Sequence, residues 1–187
     1  MNSSLKSLPL LRYISFAFVV VALSLSGCTN VPAGIQPVTD FAKERYLGTW
    51  YEIARLDHPF ERGLQQISAT YTARDDGGVS VLNKGFNVAE QIWTEAQGKA
   101  YFVDKETTGH LKVSFFGPFY ASYVIAVLDE DYQYALVTGP DTDYLWILAR
   151  TPQLDPLITE RLLEYAKATG FATDKMIFVD HNIRNLE

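Results

Sequence analysis

A single thiol is the first candidate for chemistry in this sequence. The 187 residues include one cysteine, Cys28, and three histidines. A lone cysteine forms no internal disulfide, no CxxC redox pair and no thiolate zinc site. Cys28 directly follows the small residues Ser26 and Gly27 at the end of an apolar run. The position of Cys28 in the chain, rather than a partner within the chain, must therefore explain its presence.

The other residues that carry chemistry in enzymes show no catalytic spacing. His58, His110 and His181 lie among ordinary polar or turn residues without an HxH or HExxH pattern, so we predict surface histidines, no metal and no cofactor. No GxSxG elbow or phosphate-binding loop occurs, and residues 75–78 (Asp-Asp-Gly-Gly) predict a turn. Glu52 is expected to pair with a neighbouring Arg or Lys. We therefore predict no catalytic residue and no enzyme.

The first 27 residues have the pattern of a secretory signal. Lys6 and Arg12 come before an apolar run over residues 13–25 and no acid is present. The run of about 13 residues is shorter than the ~20 that span a bilayer. Residues 25–28 (Leu-Ser-Gly-Cys) resemble the bacterial lipoprotein signal, which implies removal of residues 1–27 and acylation of Cys28. Thr29, where an aspartate would mark inner-membrane retention, implies export to the outer membrane.

Charge and composition limit the remaining classes of function that this protein can have. Removal of residues 1–27 takes away two cations and no acid, which changes the formal net charge from −6 to −8. The sequence has no basic block, so a nucleic-acid partner is excluded. Several acyl chains hold a protein on a membrane without a spanning helix. Residues 28–39, with two prolines and a glycine, predict a lipidated tether, and residues 40–187 predict one domain.

Short β-type runs separated by turn signals fill the first two thirds of this domain. They are rich in Val, Ile, Thr and aromatic residues. Eight strands joined by sequential hairpins favour a closed antiparallel up-and-down β-barrel, an all-β fold with room inside for one small ligand. In residues 111–115, Lys112 and Ser114 alternate with apolar residues and predict a wet outer face. The predicted strands are 50–57, 66–74, 79–86, 92–104, 110–116, 120–128, 132–138 and 144–150.

A helix is predicted after the eighth strand. Residues 144–149 are apolar on both faces, so this strand needs cover outside the barrel as well as inside. Asp155 and Pro156 predict a helix start, and Gly170 predicts its end. The helix, residues 157–169, is expected to pack on the barrel wall through Ile158, Leu162, Tyr165 and Ala166. Residues 176–179 predict a short final strand at the barrel edge.

Three short motifs now resemble a known family. Gly48-Thr49-Trp50 opens the first strand, Asp131-Tyr132 precedes the seventh, and Arg150 ends the eighth, which is the order of the three lipocalin signatures. The resemblance covers roughly residues 41–179 and includes the bacterial outer-membrane lipoproteins of the family. Glu130 stands where the second signature usually has threonine. Another acceptor can cap that turn.

The signature residues predict how one end of the barrel is closed. Trp50 begins the first strand and Arg150 ends the last, so both lie at the same end. There the guanidinium can stack on the indole and donate to nearby carbonyls. We therefore expect a structural role for both residues.

Strand alternation also predicts the lining of the interior. If Arg150 points inward, then Leu148, Trp146 and Tyr144 do so as well. Tyr120 and Tyr144 add hydroxyls that can bind a ligand headgroup at the rim. The predicted ligand-binding residues are Phe102, Val113, Phe115, Tyr120, Tyr144 and Trp146.

The resemblance implies a function at the cell envelope. It implies binding of fatty acids or lysophospholipids, their storage or transport at the outer membrane facing the periplasm, and a homodimer. A lipocalin for a tetrapyrrole or retinoid, a lipid-modifying enzyme and a transmembrane barrel are the alternatives. The last is disfavoured because Lys112 and Ser114 interrupt an apolar outer band.

Overall fold

Eight antiparallel strands form the body of the protein. The computed structural model describes residues 29–182. The predicted signal peptide and Cys28 lie outside the described residues. The strands are β1 (Gly48–Arg55), β2 (Leu64–Ala73), β3 (Val79–Asn87), β4 (Ile92–Phe102), β5 (His110–Ser114), β6 (Ala121–Leu128), β7 (Tyr134–Thr138) and β8 (Leu145–Ala149).

Each strand pairs with the next along the chain, and β1 pairs with both β2 and β8. This double pairing closes the sheet into a barrel. The predicted up-and-down barrel is therefore confirmed. The ends of the strands differ from the prediction by a few residues, mostly where the sequence predicts strand into a turn. A bulge between Glu52 and Ala54 shifts the β1–β8 register.

A helix covers the outside of the barrel, as predicted. Helix α1 (Lys43–Tyr46) precedes the barrel and helix α2 (Pro156–Ala168) follows it. Asp155 caps α2 by accepting the backbone N–H of Leu157 at 2.8 Å. Leu162 and Ala166 pack in one apolar cluster with the outward side chains of β8, and Ile158 packs against it. Tyr165 is exposed, so its predicted contact with the wall is wrong. No helix within residues 29–182 is long and apolar enough to cross a membrane.

The short final strand is also present. β9 (Ile177–Phe178) pairs antiparallel with Ala54 and Arg55 of β1. It is two residues long, shorter than predicted, and follows a 3₁₀ turn, Thr173–Lys175. It therefore extends the sheet beside β1 without entering the barrel closure.

The segment before α1 contacts the barrel more than a tether would. Pro32 and Ile35 are buried, and Ile35 belongs to the apolar cluster outside the barrel. The backbone of Val38 donates to Ile125 and accepts from Gly109, each at 2.9 Å. The described part of the predicted tether thus lies against the barrel wall.

One detail of the predicted outer face is wrong. Ser114 is buried, although the alternation in β5 predicts exposure. It stands opposite Lys99 in the β4–β5 register, where a short side chain is easily covered by a long neighbour. Lys112, two residues earlier, is half-buried.

Candidate functional site: the barrel cavity

The closed end of the barrel is built around Trp50 and Arg150. The Arg150 guanidinium carbon lies 4.0 Å from the centre of the Trp50 ring. The guanidinium donates to the carbonyls of Arg45, Thr49 and Tyr132 at 2.6, 3.1 and 3.2 Å. Trp50 is fully buried. The strand positions predict this stack, and the structure contains it.

The second signature forms the turn beside this end. Tyr132 has a positive φ of 60°, and its ring lies 4.2 Å beneath the Arg45 guanidinium carbon. The Asp129 carboxylate accepts the backbone N–H of Asp131 at 3.2 Å. Asp129 thus supplies the acceptor that caps this turn, while the Glu130 carbonyl accepts from Arg45 at 2.8 Å.

Above the closed end lies a cavity of about 1020 Å³. This is just above the range of roughly 300–1,000 Å³ typical of small-molecule sites. All six predicted ligand-binding residues line the cavity, together with Leu148. The six are Phe102, Val113, Phe115, Tyr120, Tyr144 and Trp146. Alternation accounts for those within the strands, whereas Tyr120 and Tyr144 lie in the loops just before β6 and β8.

A glycine makes room for one of these aromatic residues. A Cβ on Gly98 would lie 2.9 Å from the Phe115 ring and 2.9 Å from the Ser114 carbonyl oxygen. Only a residue without a side chain therefore allows Phe115 to lie against β4. This close approach fixes the position of one aromatic wall of the cavity.

The mouth of the cavity carries exposed phenylalanines. Phe60, in the loop between β1 and β2, is 62% exposed. Phe116 and Phe119, between β5 and β6, are 82% and 77% exposed, and all three line the cavity. Large exposed apolar side chains grouped at one opening commonly mark an interaction site.

His58 is buried, so the prediction of a surface histidine is wrong for it. Its ring stacks on Phe60 at 5.3 Å and on Tyr144 at 4.9 Å between ring centres. Burial, with a smaller contribution from the Arg55 charge, lowers the pKa of His58 to about 4. The loop after β1 folds back over the mouth, which a local sequence pattern does not reveal.

The other two histidines also have structural surroundings. His110 is buried, contrary to prediction, and its Nε2 lies 2.8 Å from Ser122 Oγ. His181 is half-buried, and its Nε2 donates to the Glu52 carbonyl at 2.8 Å. Within residues 29–182, no group of three His, Cys, Asp or Glu side chains is arranged to hold a metal ion.

One wall of the cavity contains charged groups that the sequence only partly predicts. Arg55 Nη1 donates to Glu52 Oε1 at 2.9 Å, as the expected partnership of Glu52 requires. Glu61 enters from the β1–β2 loop, and its Oε2 accepts from Trp146 Nε1 at 3.1 Å. Arg55 Nε lies 3.9 Å from Glu61 Oε2. Glu52 and Glu61 line the cavity.

Two buried carboxyl groups here share one guanidinium. Burial, then the nearby Glu61 charge, raises the pKa of Glu52 to about 8, although Arg55 opposes the shift. Burial also raises the pKa of Glu61. The cluster therefore retains a proton near neutral pH and presents little net negative charge to the cavity. Glu61 lies in a loop without periodicity, so no sequence signal places it here.

The floor of the cavity is polar at one point. The hydroxyl of Tyr123 lies 2.8 Å from that of Tyr46 and 2.9 Å from that of Tyr71. All three tyrosines line the cavity. The alternation of inward and outward side chains along β2 and β6 is a sequence signal that could have identified Tyr71 and Tyr123. Tyr46 comes from α1, which packs across the closed end, and strand periodicity has no bearing on it.

Comparison with known proteins supports this description. Residues 41–181 match a lipocalin-like domain model. The chain is 52% identical to "Outer membrane lipoprotein Blc" of Vibrio cholerae, over 86% of this chain and 95% of the relative. It is 50% identical to the protein of that name in Escherichia coli K12, over 94% and 97%.

More distant proteins share the fold. Apolipoprotein D of Bos taurus is 32% identical, over 85% of each chain. The solved structure of insecticyanin from the tobacco hornworm superposes with a TM-score of 0.65 at 20% identity, over 81% of this chain and 86% of that one. The closed barrel, the outer helix and the domain match show together that this chain belongs to the lipocalin family.

Proposed function

We propose that this lipocalin is a lipid-anchored protein of the outer membrane that binds single-chain lipids, fatty acids or lysophospholipids, in its barrel. The observation that carries the proposal is the cavity of about 1020 Å³ with its largely apolar wall. Such a space suits a ligand that is mostly hydrocarbon. Few polar groups interrupt the wall and floor, and these few would orient such a ligand.

The driving force is removal of hydrocarbon from water. Each buried CH₂ contributes about 0.8 kcal/mol, and the ordering of ligand and side chains offsets part of this gain. We expect affinities in the micromolar range. The tail would lie against Phe102, Val113 and Phe115, with the headgroup near the hydroxyls of Tyr120 and Tyr144.

The charged wall favours a carrier over an enzyme. Glu52 is bonded to Arg55 and Glu61 to Trp146, so each carboxyl group already has a structural partner. Neither carboxyl group is paired with a nucleophile. The lipid is therefore expected to leave the cavity unchanged, which suits storage or transport.

The anchor precedes the barrel. We propose that residues 1–27 are removed as a signal peptide and that Cys28 becomes the acylated first residue, its added chains including palmitate. The relatives named outer membrane lipoproteins support this location. The barrel then faces the periplasm.

A homodimer is the proposed assembly. The exposed phenylalanines at the mouth, Phe60, Phe116 and Phe119, would lose contact with water in such a dimer. Sedimentation velocity tests this proposal. The wild type should sediment as a dimer, and Phe116→Asp with Phe119→Asp should sediment as a monomer, whereas a monomeric wild type would contradict it.

Native mass spectrometry tests the lipid ligand. The mature chain, with Cys28→Ser to prevent acylation, should carry a fatty acid or lysophospholipid from the producing cell. A bound chromophore that absorbs visible light would instead favour a tetrapyrrole or retinoid carrier. Turnover of an ester substrate that is lost in Glu52→Gln would favour a lipid-modifying enzyme.

A further inference from the structure

The three tyrosines at the cavity floor form a short chain of hydroxyl groups. Tyr123 stands in the middle, within 2.8–2.9 Å of the hydroxyls of Tyr46 and Tyr71. Tyr46 and Tyr71 are 5% and 7% exposed and Tyr123 is half-buried, so bulk water has little access to the outer two hydroxyls. We call these three residues the tyrosine floor.

The tyrosine floor has one more hydrogen-bond donor than its internal contacts use. Each hydroxyl donates one hydrogen, so three tyrosines offer three donors. The two contacts between them use two of these donors, whichever direction each bond takes. One O–H is therefore left without an acceptor in the tyrosine floor. A buried donor without an acceptor is costly, so a ligand that supplies an oxygen there gains affinity.

The surroundings favour a neutral oxygen over a carboxylate. Burial raises the pKa of all three phenols, so they remain protonated donors at physiological pH. Glu52 and Glu61 face the same cavity, and their charges raise the pKa of Tyr71 further. An anion placed at the tyrosine floor would lose its hydration, and the nearby guanidinium groups of Arg55 and Arg150 are already bonded to Glu52 and to backbone carbonyls.

We propose that the tyrosine floor is a subsite for a neutral oxygen, a hydroxyl or keto group, carried near the buried end of an acyl chain. This inference rests on the proposed function, because it assumes that a single-chain lipid enters the cavity tail first. Under it, the protein takes acyl chains oxygenated near the far end as well as plain ones. The headgroup stays at the mouth in both cases.

Two ligands that differ by one oxygen test the subsite. Hexadecanoic acid and 16-hydroxyhexadecanoic acid share the carboxyl group and chain length, and their affinities are measured by calorimetry on the mature Cys28→Ser chain. We expect the hydroxylated acid to bind at least as tightly as the plain acid. Without an acceptor or donor at the floor, burial of its terminal hydroxyl would weaken binding roughly 5- to 30-fold.

The triple variant Tyr46→Phe, Tyr71→Phe and Tyr123→Phe removes all three hydroxyls and keeps the rings. Replacement of hydrogen-bonded partners by apolar groups of the same shape can be nearly neutral for stability, and thermal unfolding verifies that the variant folds. We expect its affinity for 16-hydroxyhexadecanoic acid, measured relative to its affinity for hexadecanoic acid, to be roughly 5- to 30-fold lower than the same ratio in the wild type. Tyr165→Phe, on the outer helix, is the matched control and should leave both affinities unchanged.

Each outcome decides a separate question. If the wild type binds the hydroxylated acid much more weakly than the plain acid, the tyrosine floor holds water only and the subsite is refuted. Equal losses for both acids in the triple variant also refute it, because they indicate a purely structural role. If the wild type binds neither acid, the proposed function fails together with the subsite.

Discussion

The Arg150 guanidinium lies over the Trp50 ring at 4.0 Å, and this contact joins the end of β8 to the start of β1. The contact does more than stack two side chains, because the same guanidinium donates to three backbone carbonyls around the closed end. It holds helix α1, the start of β1 and the turn before β7 together. Trp50 and Arg150 are not among the residues that line the cavity, so we expect their contact to act on lipid binding through the stability of this end.

Loss of this contact should therefore reduce stability first. We expect Arg150→Ala to lower the free energy of unfolding by about 2–4 kcal/mol. This is less than the sum of three charged hydrogen bonds and a cation–π contact, because Arg150 is only half-buried and water can replace part of what the carbonyls lose. Urea denaturation measures the loss. Arg62→Ala, which removes an exposed ion pair with Asp57, should leave the free energy of unfolding nearly unchanged. Unchanged stability with lost lipid binding in Arg150→Ala would contradict the structural role.

The buried Glu52 should make stability depend on pH between its unfolded and folded pKa values, up to about pH 8. Its pKa is raised to about 8 by burial, and a glutamate in the unfolded chain titrates at about 4.3. The folded state therefore binds more protons than the unfolded state in this range, and stability falls as pH rises through it. His58, with a pKa lowered to about 4, acts in the opposite direction but only below its unfolded value of about 6.5.

Between pH 6.5 and 8 the glutamates thus determine how the free energy of unfolding changes with pH. We expect the wild type to lose about 1–2 kcal/mol of unfolding free energy across this window, and Glu52→Gln to lose clearly less. Thermal or urea unfolding at several pH values gives the comparison. Parallel pH profiles for the two proteins would show that Glu52 is already ionised at neutral pH in the folded state.

Trp146 should report the arrival of a ligand. It lines the cavity and donates to Glu61, whereas Trp50 is buried at the closed end and Trp93 is 41% exposed outside. With Trp93→Phe as background, addition of hexadecanoic acid should change the tryptophan emission. The change should disappear when Trp146→Phe is added. An undiminished change in that double variant would place the ligand elsewhere.

The barrel could be predicted from sequence because its signals are local. Alternating apolar residues and hairpin turns predict the strands, and the cap at Asp155 predicts α2. The alternation of inward and outward side chains, counted back from Arg150, predicts that Tyr144 and Trp146 face the cavity. The burial of His58 and the approach of Glu61 could not be predicted in this way. Both residues lie in an irregular loop whose path depends on contacts with distant strands.

The central claim is that a lipid lies inside the barrel, and a variant that fills the cavity tests it most directly. Val113 points inward on β5, and Thr72 is exposed on β2 and does not line the cavity. Calorimetric titration of hexadecanoic acid into the wild type, Val113→Trp and Thr72→Trp compares an inner with an outer tryptophan of equal size. We expect one lipid per barrel and at least a tenfold loss of affinity in Val113→Trp alone, roughly 1.4 kcal/mol. Equal affinity in all three proteins would contradict the claim.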